Sequence, residues 1–285
     1  MFKPSARAVA FVLAVLGVAA VGIERARRRA RAVPLSPLHG DARIDPTWPE
    51  RKAVRGDRIS GEMGSLADYA RPGFDPARVH PNVRDLYERT DDFEMTVAAT
   101  WHFPYSLGAP MASRWTSRIE QLNLPGPGAD SKRVSSDLFA LEESAASADP
   151  RDDPRLWIRT DAATGEGVFV AVYASFVDDG ERFVDIAVPL PGANLSTVLR
   201  MDHYGKGITL TTACPGGGLY LHTDVGAFAL PASQCFRVSP AGGTKVPAST
   251  DAARTEGDVL ADQRISLFGL PLVTVRYAAT RNRTA

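Results

Sequence analysis

The sequence predicts an α+β fold that is predominantly antiparallel β, arranged as a curled sheet, sandwich or barrel. Two short N-terminal helices are expected to pack on the sheet, and one transmembrane helix to precede it. Three observations predict this class: short runs of β-branched and aromatic residues separated by Gly, Pro and Asp from Leu156 onward, no alternation of strands with helices, and an uncharged stretch near the N-terminus. With 44% hydrophobic and 23% charged residues, the chain has the composition of a folded protein.

The uncharged stretch is Ala8–Ile23. Sixteen helical residues span about 24 Å, and the flanking Arg7 and Arg25 can extend that length toward the roughly 30 Å hydrocarbon core. We therefore expect a short tail over residues 1–7 and a membrane anchor over residues 8–24. There are two alternatives. The stretch is a signal peptide that is cleaved near Val18-Ala19-Ala20, or it is a buried or peripheral helix.

An arginine-rich run follows the apolar stretch. Residues 1–35 hold seven basic residues against Glu24 alone, a net charge of +6, so the rest of the chain carries −6. Positive charge beside an apolar segment tends to stay in the cytoplasm, which places the body on that side, and an acidic body argues against nucleic-acid binding. The residues expected at the membrane surface are Arg25, Arg27, Arg28, Arg29 and Arg31.

Residues 25–75 combine this basic run with many prolines and little periodicity, which predicts a juxtamembrane linker. A single β-rich globular domain is expected over residues 76–285, opening at Asp75-Pro76 with an N-cap residue before a proline. A first helix is predicted from Pro81 to about Arg89, and a strand from Phe93 to Trp101. A second helix is predicted from Pro110 to about Leu122, with its apolar residues facing the sheet: Met111, Trp115, Ile119 and Leu122.

Beyond Leu156 the elements are strands. Val168–Tyr173 and Phe183–Val188 form the clearest hairpin, turning through Asp178-Asp179-Gly180. The further predicted strands are Leu195–Tyr204, Ile208–Ala213, Leu219–Asp224, Gln234–Ser239, Arg264–Phe268 and Leu272–Ala279.

Strand alternation gives the first candidate site. In Leu195–Tyr204 it places Leu199, Met201 and His203 on one mainly apolar face, opposite Asp202. A histidine on such a face is either a core residue bonded to a neighbouring polar group or a polar group within a ligand cavity. Leu199, Met201 and His203 are therefore candidate ligand-binding residues.

The next strand gives the second candidate site. Tyr220, His222 and Asp224 share a face, where Asp224 could orient the imidazole of His222 for general-base catalysis. The alternative is a polar surface row. No G-x-S-x-G, H-E-x-x-H or phosphate-loop motif accompanies these residues.

The sequence predicts no cofactor and no metal site, since its five histidines lack metal-ligand spacing. Cys214 and Cys235 are expected to be reduced in a cytoplasmic body, and could pair if the body were exported.

Two function classes follow. The first is a membrane-anchored binding or interaction module that takes a hydrophobic or lipid-like ligand or a protein partner and contacts lipids through its N-terminal anchor. The second is a membrane-tethered enzyme, hydrolase-like or isomerase-like, that uses Tyr220, His222 and Asp224. Because function resides in a site rather than in a fold, the sequence leaves this choice open.

Overall fold

Ten antiparallel strands close into a barrel in the computed structural model, which describes residues 20–243 and 257–282. The strands of the described residues are β1 (Arg55–Arg58), β2 (Phe93–Trp101), β3 (Lys132–Leu141), β4 (Asp152–Asp161), β5 (Gly167–Asp178), β6 (Glu181–Leu190), β7 (Ala193–Tyr204), β8 (Gly207–Thr211), β9 (Gly218–Thr223), β10 (Gly226–Ala229), β11 (Ala232–Pro240), β12 (Val259–Leu267) and β13 (Leu270–Arg281).

The described helices are short. They are α1 (residues 20–30), α2 (Trp48–Arg51), α3 (Pro81–Glu88), α4 (Ala109–Ile119) and α5 (Glu143–Ala148), with 3-10 turns at Leu66–Tyr69, Pro76–Arg78, Thr90–Asp92 and Tyr105–Leu107.

Closure depends on the long strand β7. Its first half pairs with β9, from Ala193 opposite Thr223 to Val198 opposite Gly218, and its second half pairs with β8. β8 also pairs with β11, and β13 pairs with β2, so the ring closes. The order of strands around the ring is β2, β3, β4, β5, β6, β7, β8, β11, β12 and β13. β9 and β10 extend the sheet outside this ring, and β1 pairs with β3.

Local geometry explains two of the connections. The β5–β6 hairpin turns through Asp179 (φ 47°) and Gly180 (φ 76°), and positive φ at both central residues matches the twist of the flanking strands. At the start of β8, a Cβ on Gly207 would lie 1.9 Å from the carbonyl oxygen of Val238. Only glycine permits the approach of β8 to β11 that closes the barrel.

The barrel carries apolar side chains on both of its surfaces. The inward residues of the ten strands form the largest core, which includes Leu138, Leu199 and Val275. Outside, a second cluster packs Ile44 and Trp48 on the outward residues of β4, β5 and β6. Within the predicted linker, residues 25–75, this cluster shows the chain lying along the barrel with Ile44 and Trp48 buried. The linker role of residues 25–75 stays a prediction.

The predicted α+β class is wrong, because the strands close into a barrel that dominates the fold. α3 and α4 lie near the two predicted helical ranges, but they sit at opposite ends of the barrel instead of forming a layer on an open sheet. We call these ends the α3 end and the α4 end. The β5–β6 and β7–β8 turns lie at the α3 end, and the β6–β7 and β12–β13 turns at the α4 end.

The predicted transmembrane helix finds no support in the described residues. No helix within residues 20–243 and 257–282 is long and apolar enough to span a bilayer. Most of the predicted span, residues 8–24, lies outside the described residues, because it falls within residues 1–19.

Candidate functional site

The barrel encloses a cavity of about 400 Å³, which we call the central cavity. Its wall is mostly aliphatic and aromatic, and includes Val97, Phe169, Ile186, Leu210, Val238 and Val273. At about 30 Å³ for each water in liquid, the space equals that of about 13 waters, and it falls within the size range of small-molecule sites. The strands build this wall because their alternating residues point inward.

Short segments cover the two ends of the central cavity in different ways. At the α3 end, α3 places Leu86 and Tyr87 on the cavity, with Tyr87 fully packed and only 4% exposed. At the α4 end, Thr116 and Leu122 line the cavity beside Trp101, whose indole N–H donates to the carbonyl oxygen of Pro125 at 3.1 Å.

Arg159 places a guanidinium group on the central cavity. Its central carbon lies 3.8 Å from the ring centroid of Trp157 and 5.5 Å from that of Tyr277, so aromatic faces stabilise the cation. The Nη2 atom lies 3.6 Å from the Sδ atom of Met95, and the buried Nε–H has no hydrogen-bond partner among the described residues. No carboxylate of the described residues forms an ion pair with Arg159, so its charge is available to a bound anion.

Glu62 provides a second ionisable group beside the central cavity. The chain reaches this position because Gly61 runs against the end of α3, where a Cβ would lie 2.3 Å from the carbonyl oxygen of Glu88. The backbone N–H of Met63 then donates to the carbonyl oxygen of Tyr87 at 3.3 Å. Glu62 thereby lies between the central cavity and a small polar pocket that also contains Asp153.

Burial determines the charge of Glu62. Loss of hydration raises the pKa of its carboxyl to about 8, and the attraction of Arg159 lowers it only in part. Glu62 is half-buried and lines both the central cavity and the small polar pocket. At neutral pH Glu62 is mainly protonated, which leaves the Arg159 charge uncompensated.

Two tyrosines complete the polar part of the cavity wall. The hydroxyl of Tyr277 donates to Oε1 of Gln263 at 2.7 Å, and burial raises its pKa. Burial also raises the pKa of Tyr173, whose ring centroid lies 5.0 Å from that of Trp157. Both hydroxyls are therefore neutral at physiological pH. The arrangement is an apolar cavity with one cation and neutral hydrogen-bonding groups, which suits an amphipathic acid.

The predicted ligand-binding residues of β7 lie elsewhere in the barrel. Leu199 and Met201 are packed in the interior with at most 1% exposure, and neither lines the central cavity. The Nε2 atom of His203 accepts a hydrogen bond from the backbone N–H of Asp75 at 3.0 Å, and its ring lies 4.8 Å from that of Phe74. Leu195 and Thr197, on the same strand face, line the cavity instead. A binding role for Leu199, Met201 and His203 stays a prediction.

The predicted catalytic residues of β9 do not contact each other as expected. Asp224 lies 3.2 Å from Nδ1 of His39, whose ring contacts that of His222 at 4.9 Å. The Nδ1 atom of His222 bonds the carbonyl oxygen of Ser36 at 3.1 Å, and the hydroxyl of Tyr220 donates to the carbonyl oxygen of Gly216. Through these contacts, His222 and Asp224 hold the segment with Ser36 and His39 on the outside of the barrel. A catalytic role for Tyr220, His222 and Asp224 stays a prediction.

The predicted membrane-surface arginines lie on and just after α1. Four of them are exposed, namely Arg25, Arg28, Arg29 and Arg31. The fifth, Arg27, is half-buried, because its guanidinium lies 5.0 Å from the ring centroid of Phe228 on β10. Their contact with lipid stays a prediction.

The structure shows neither a metal cluster nor a disulfide among the described residues. No group of three or more His, Cys, Asp or Glu side chains within residues 20–243 and 257–282 could hold a metal ion. Cys214 and Cys235 are free thiols, half-buried, and burial raises the pKa of each.

Sequence reasoning missed Arg159 and Glu62. For Arg159 a signal exists, because alternation along Leu156–Asp161 places it on the same face as Trp157. Glu62 lies in an irregular segment whose path over α3 leaves no periodic pattern.

Comparison with known proteins found one relative. The chain is 25% identical over 234 residues to the "Uncharacterized membrane protein YndJ" of Bacillus subtilis (strain 168). The aligned region covers 80% of this chain and 40% of that protein. The chain thus spans less than half the length of the relative that it matches. No protein-family model matches the chain, and no solved structure matches it.

Proposed function

We propose that the protein is a membrane-associated binding protein whose barrel takes up a lipid-like ligand. The apolar part of the ligand occupies the central cavity, and its acidic headgroup binds Arg159. The observation that carries the proposal is the combination of a cavity of about 400 Å³ with a single cation on its apolar wall.

The size of the central cavity supports a ligand. At about 400 Å³, the central cavity falls within the roughly 300–1,000 Å³ range of small-molecule sites. Its wall is mostly apolar, so an apolar chain that enters it leaves water and gains packing contacts.

The chemistry of Arg159 supports an acidic headgroup. The guanidinium presents paired N–H donors that match the oxygens of a carboxylate or phosphate. Tyr173 also lines the cavity, and its neutral hydroxyl can donate to the same oxygens.

Membrane association is the coarser part of the proposal. The Bacillus subtilis relative is described as a membrane protein, and the two chains are similar over most of this chain's length. Arg25, Arg28, Arg29 and Arg31 are exposed and can approach anionic headgroups, which the cytoplasmic leaflet carries. We therefore propose that the barrel lies on the cytoplasmic side.

A binding titration tests the ligand proposal. The delipidated full chain is titrated with cis-parinaric acid, a fluorescent fatty acid, and with the corresponding alcohol. We expect saturable binding of the acid. Arg159→Met should weaken it at least tenfold, since a hydrogen bond to a charged group contributes about 1.5–3 kcal/mol, and should leave binding of the alcohol almost unchanged. Arg133→Met, at an exposed arginine on the neighbouring strand, is the matched control.

A cavity-blocking variant tests the location. Ala261 lines the central cavity, so Ala261→Trp should abolish binding of both probes. Ala148→Trp, at an exposed alanine on α5, should bind both normally. If a folded Ala261→Trp variant, checked by circular dichroism, binds both probes as well as the unmodified chain, the central cavity is not the binding site and the proposal fails.

A further inference from the structure

Large apolar side chains at the protein surface concentrate at the α4 end of the barrel. Apart from α1, the one such side chain elsewhere in the described residues is Val177, on the β5–β6 hairpin at the α3 end. The side chains at the α4 end come from the segment leading into α4, from α4 itself and from the β9–β10 and β12–β13 turns. They are Phe103, Leu107, Met111, Trp115, Val225, Phe268 and Leu270, all at least 50% exposed.

Helix α4 buries Ile119 but presents two other large apolar residues, Met111 and Trp115, to solvent. Ala109 is buried and Thr116 lines the central cavity, whereas Met111 is 77% exposed and Trp115 51% exposed on the other face. Burial of one such side chain is worth about 1.5–3 kcal/mol, so an outward orientation forgoes a sizeable stabilisation. Exposed large apolar side chains that follow one another along a short segment, as Phe103, Leu107, Met111 and Trp115 do, are typical of a docking site.

The charge of this surface selects its partner. The outer face of α4 also carries the exposed Arg114 and Arg118, and Ala109–Ile119 contains no acidic residue. The next carboxylate along the chain, Glu120, is paired with Arg43, and the exposed Asp224 beside Val225 lies 3.2 Å from Nδ1 of His39. Tryptophan, large aliphatic residues and arginine on one helix face suit the boundary of an anionic bilayer, where the ring and chains enter the lipid and the guanidinium groups meet the headgroups.

Helix α1 approaches the same end. Arg27 donates to the carbonyl oxygen of Val225 at the β9–β10 turn, and one turn later Ala30 packs with Phe183, which lies toward the α3 end. The start of α1, with the exposed Val21 and Ile23, therefore points toward the α4 end. The residues before it, 8–19, are uncharged in the sequence.

We infer that these seven exposed side chains, with Arg114 and Arg118, form a surface that docks on an anionic lipid bilayer and turns the α4 end of the central cavity toward the lipid. We call this the α4-end surface. The inference rests on the membrane association proposed above and adds to it the residues that touch the membrane. Ligand could then pass between the bilayer and the central cavity without crossing water.

Fluorescent labels at two positions test the orientation. In the full chain, with Cys214→Ala and Cys235→Ala as background, Met111→Cys or Val177→Cys is labelled with an environment-sensitive nitrobenzoxadiazole dye. Vesicles of phosphatidylcholine and phosphatidylglycerol in equal amounts are then added, and binding is checked by cosedimentation. We expect a blue shift and a several-fold rise in emission at position 111 and no change at position 177. Adding Arg114→Gln and Arg118→Gln should reduce the rise at position 111.

The other outcomes are distinguishable. If the chain sediments with vesicles while the label at position 111 stays in water, the α4-end surface is not the docking surface, although membrane association stands. If the chain does not sediment with vesicles, membrane association and the docking surface both fail. If the label at position 111 is already protected without lipid and the chain sediments as a dimer, a second copy covers the surface and the inference is overturned.

Discussion

Replacing Glu62 by glutamine should remove a pH-dependent loss of stability that the buried carboxyl causes. Glu62→Gln keeps the size and hydrogen-bonding groups of the side chain but cannot ionise. In the unmodified protein, burial raises the pKa of Glu62 from its ordinary value of 4.5 to about 8. The folded protein thus holds this proton more tightly than the unfolded chain does.

The sign and size follow from the two pKa values. A raised pKa contributes stability that is fully present below pH 4.5 and is lost as the pH rises through about 8. A difference of about 3.5 units, at about 1.4 kcal/mol for each unit, amounts to about 5 kcal/mol. Above pH 8, Glu62→Gln should therefore be more stable than the unmodified protein by up to about 5 kcal/mol, whereas near pH 4.5 the two should be equal.

Urea unfolding at a series of pH values measures this difference. Tryptophan fluorescence can follow unfolding, because Trp48 and Trp157 are buried. Glu143→Gln, at an exposed glutamate on α5, is the control and should follow the unmodified protein at every pH. Parallel stability curves for Glu62→Gln and the unmodified protein across this range would show that Glu62 ionises normally in the folded state and would refute the reasoning.

Three further predictions concern the ligand and the packing of the barrel. Affinity for cis-parinaric acid should fall as the pH rises through about 8, because ionised Glu62 then competes for Arg159, and a pH series of titrations should show no such fall in Glu62→Gln. Trp48→Ala should lower the free energy of unfolding in urea by about 3–5 kcal/mol, because the side chain is fully buried. Arg151→Met should cost a similar amount in the same assay, because the buried Arg151 pairs with Asp149 at 2.7 Å and Asp185 at 3.2 Å, and its loss leaves two buried carboxylates unpaired.

The strands were predictable because alternation and turn residues act locally. Phe93–Trp101 is a strand with the bounds that the sequence predicts, and the hairpin through Asp179-Gly180 forms where its turn residues require it. Barrel closure was not predictable, because it depends on β7 pairing with β8 and β9 along different halves. Closure also needs β13 to pair with β2, with Val273 opposite Trp101, and partners so distant in sequence leave no periodic signal.

Helix α4 shows the limit of reading burial from periodicity. Of the four residues with the spacing of a core-facing helix, Ile119 is buried and Leu122 lines the central cavity, whereas Met111 and Trp115 are exposed. Hydrophobic spacing identifies an apolar face but not what covers it. The same ambiguity hides the candidate site, because inward strand residues look alike in sequence whether they pack against each other or surround a cavity.

The two ends of the barrel differ in what holds them, which bears on where a ligand can pass. At the α3 end, His80 caps α3 through the N–H of Asn82, and Asp85 forms ion pairs with Arg89 and Arg281. At the α4 end, α4 begins at Gly108 without a side-chain cap, and the segment before it is held to the β12–β13 hairpin by a hydrogen bond from Tyr105 to the carbonyl oxygen of Leu267. The C-terminal end of α4 is held more firmly, because the buried Ile119 accepts a hydrogen bond from the backbone N–H of Ile44 at 2.7 Å and Glu120 pairs with Arg43. The uncapped N-terminal part of α4, which carries Met111 in the α4-end surface, is therefore the part of this helix that local opening would involve first.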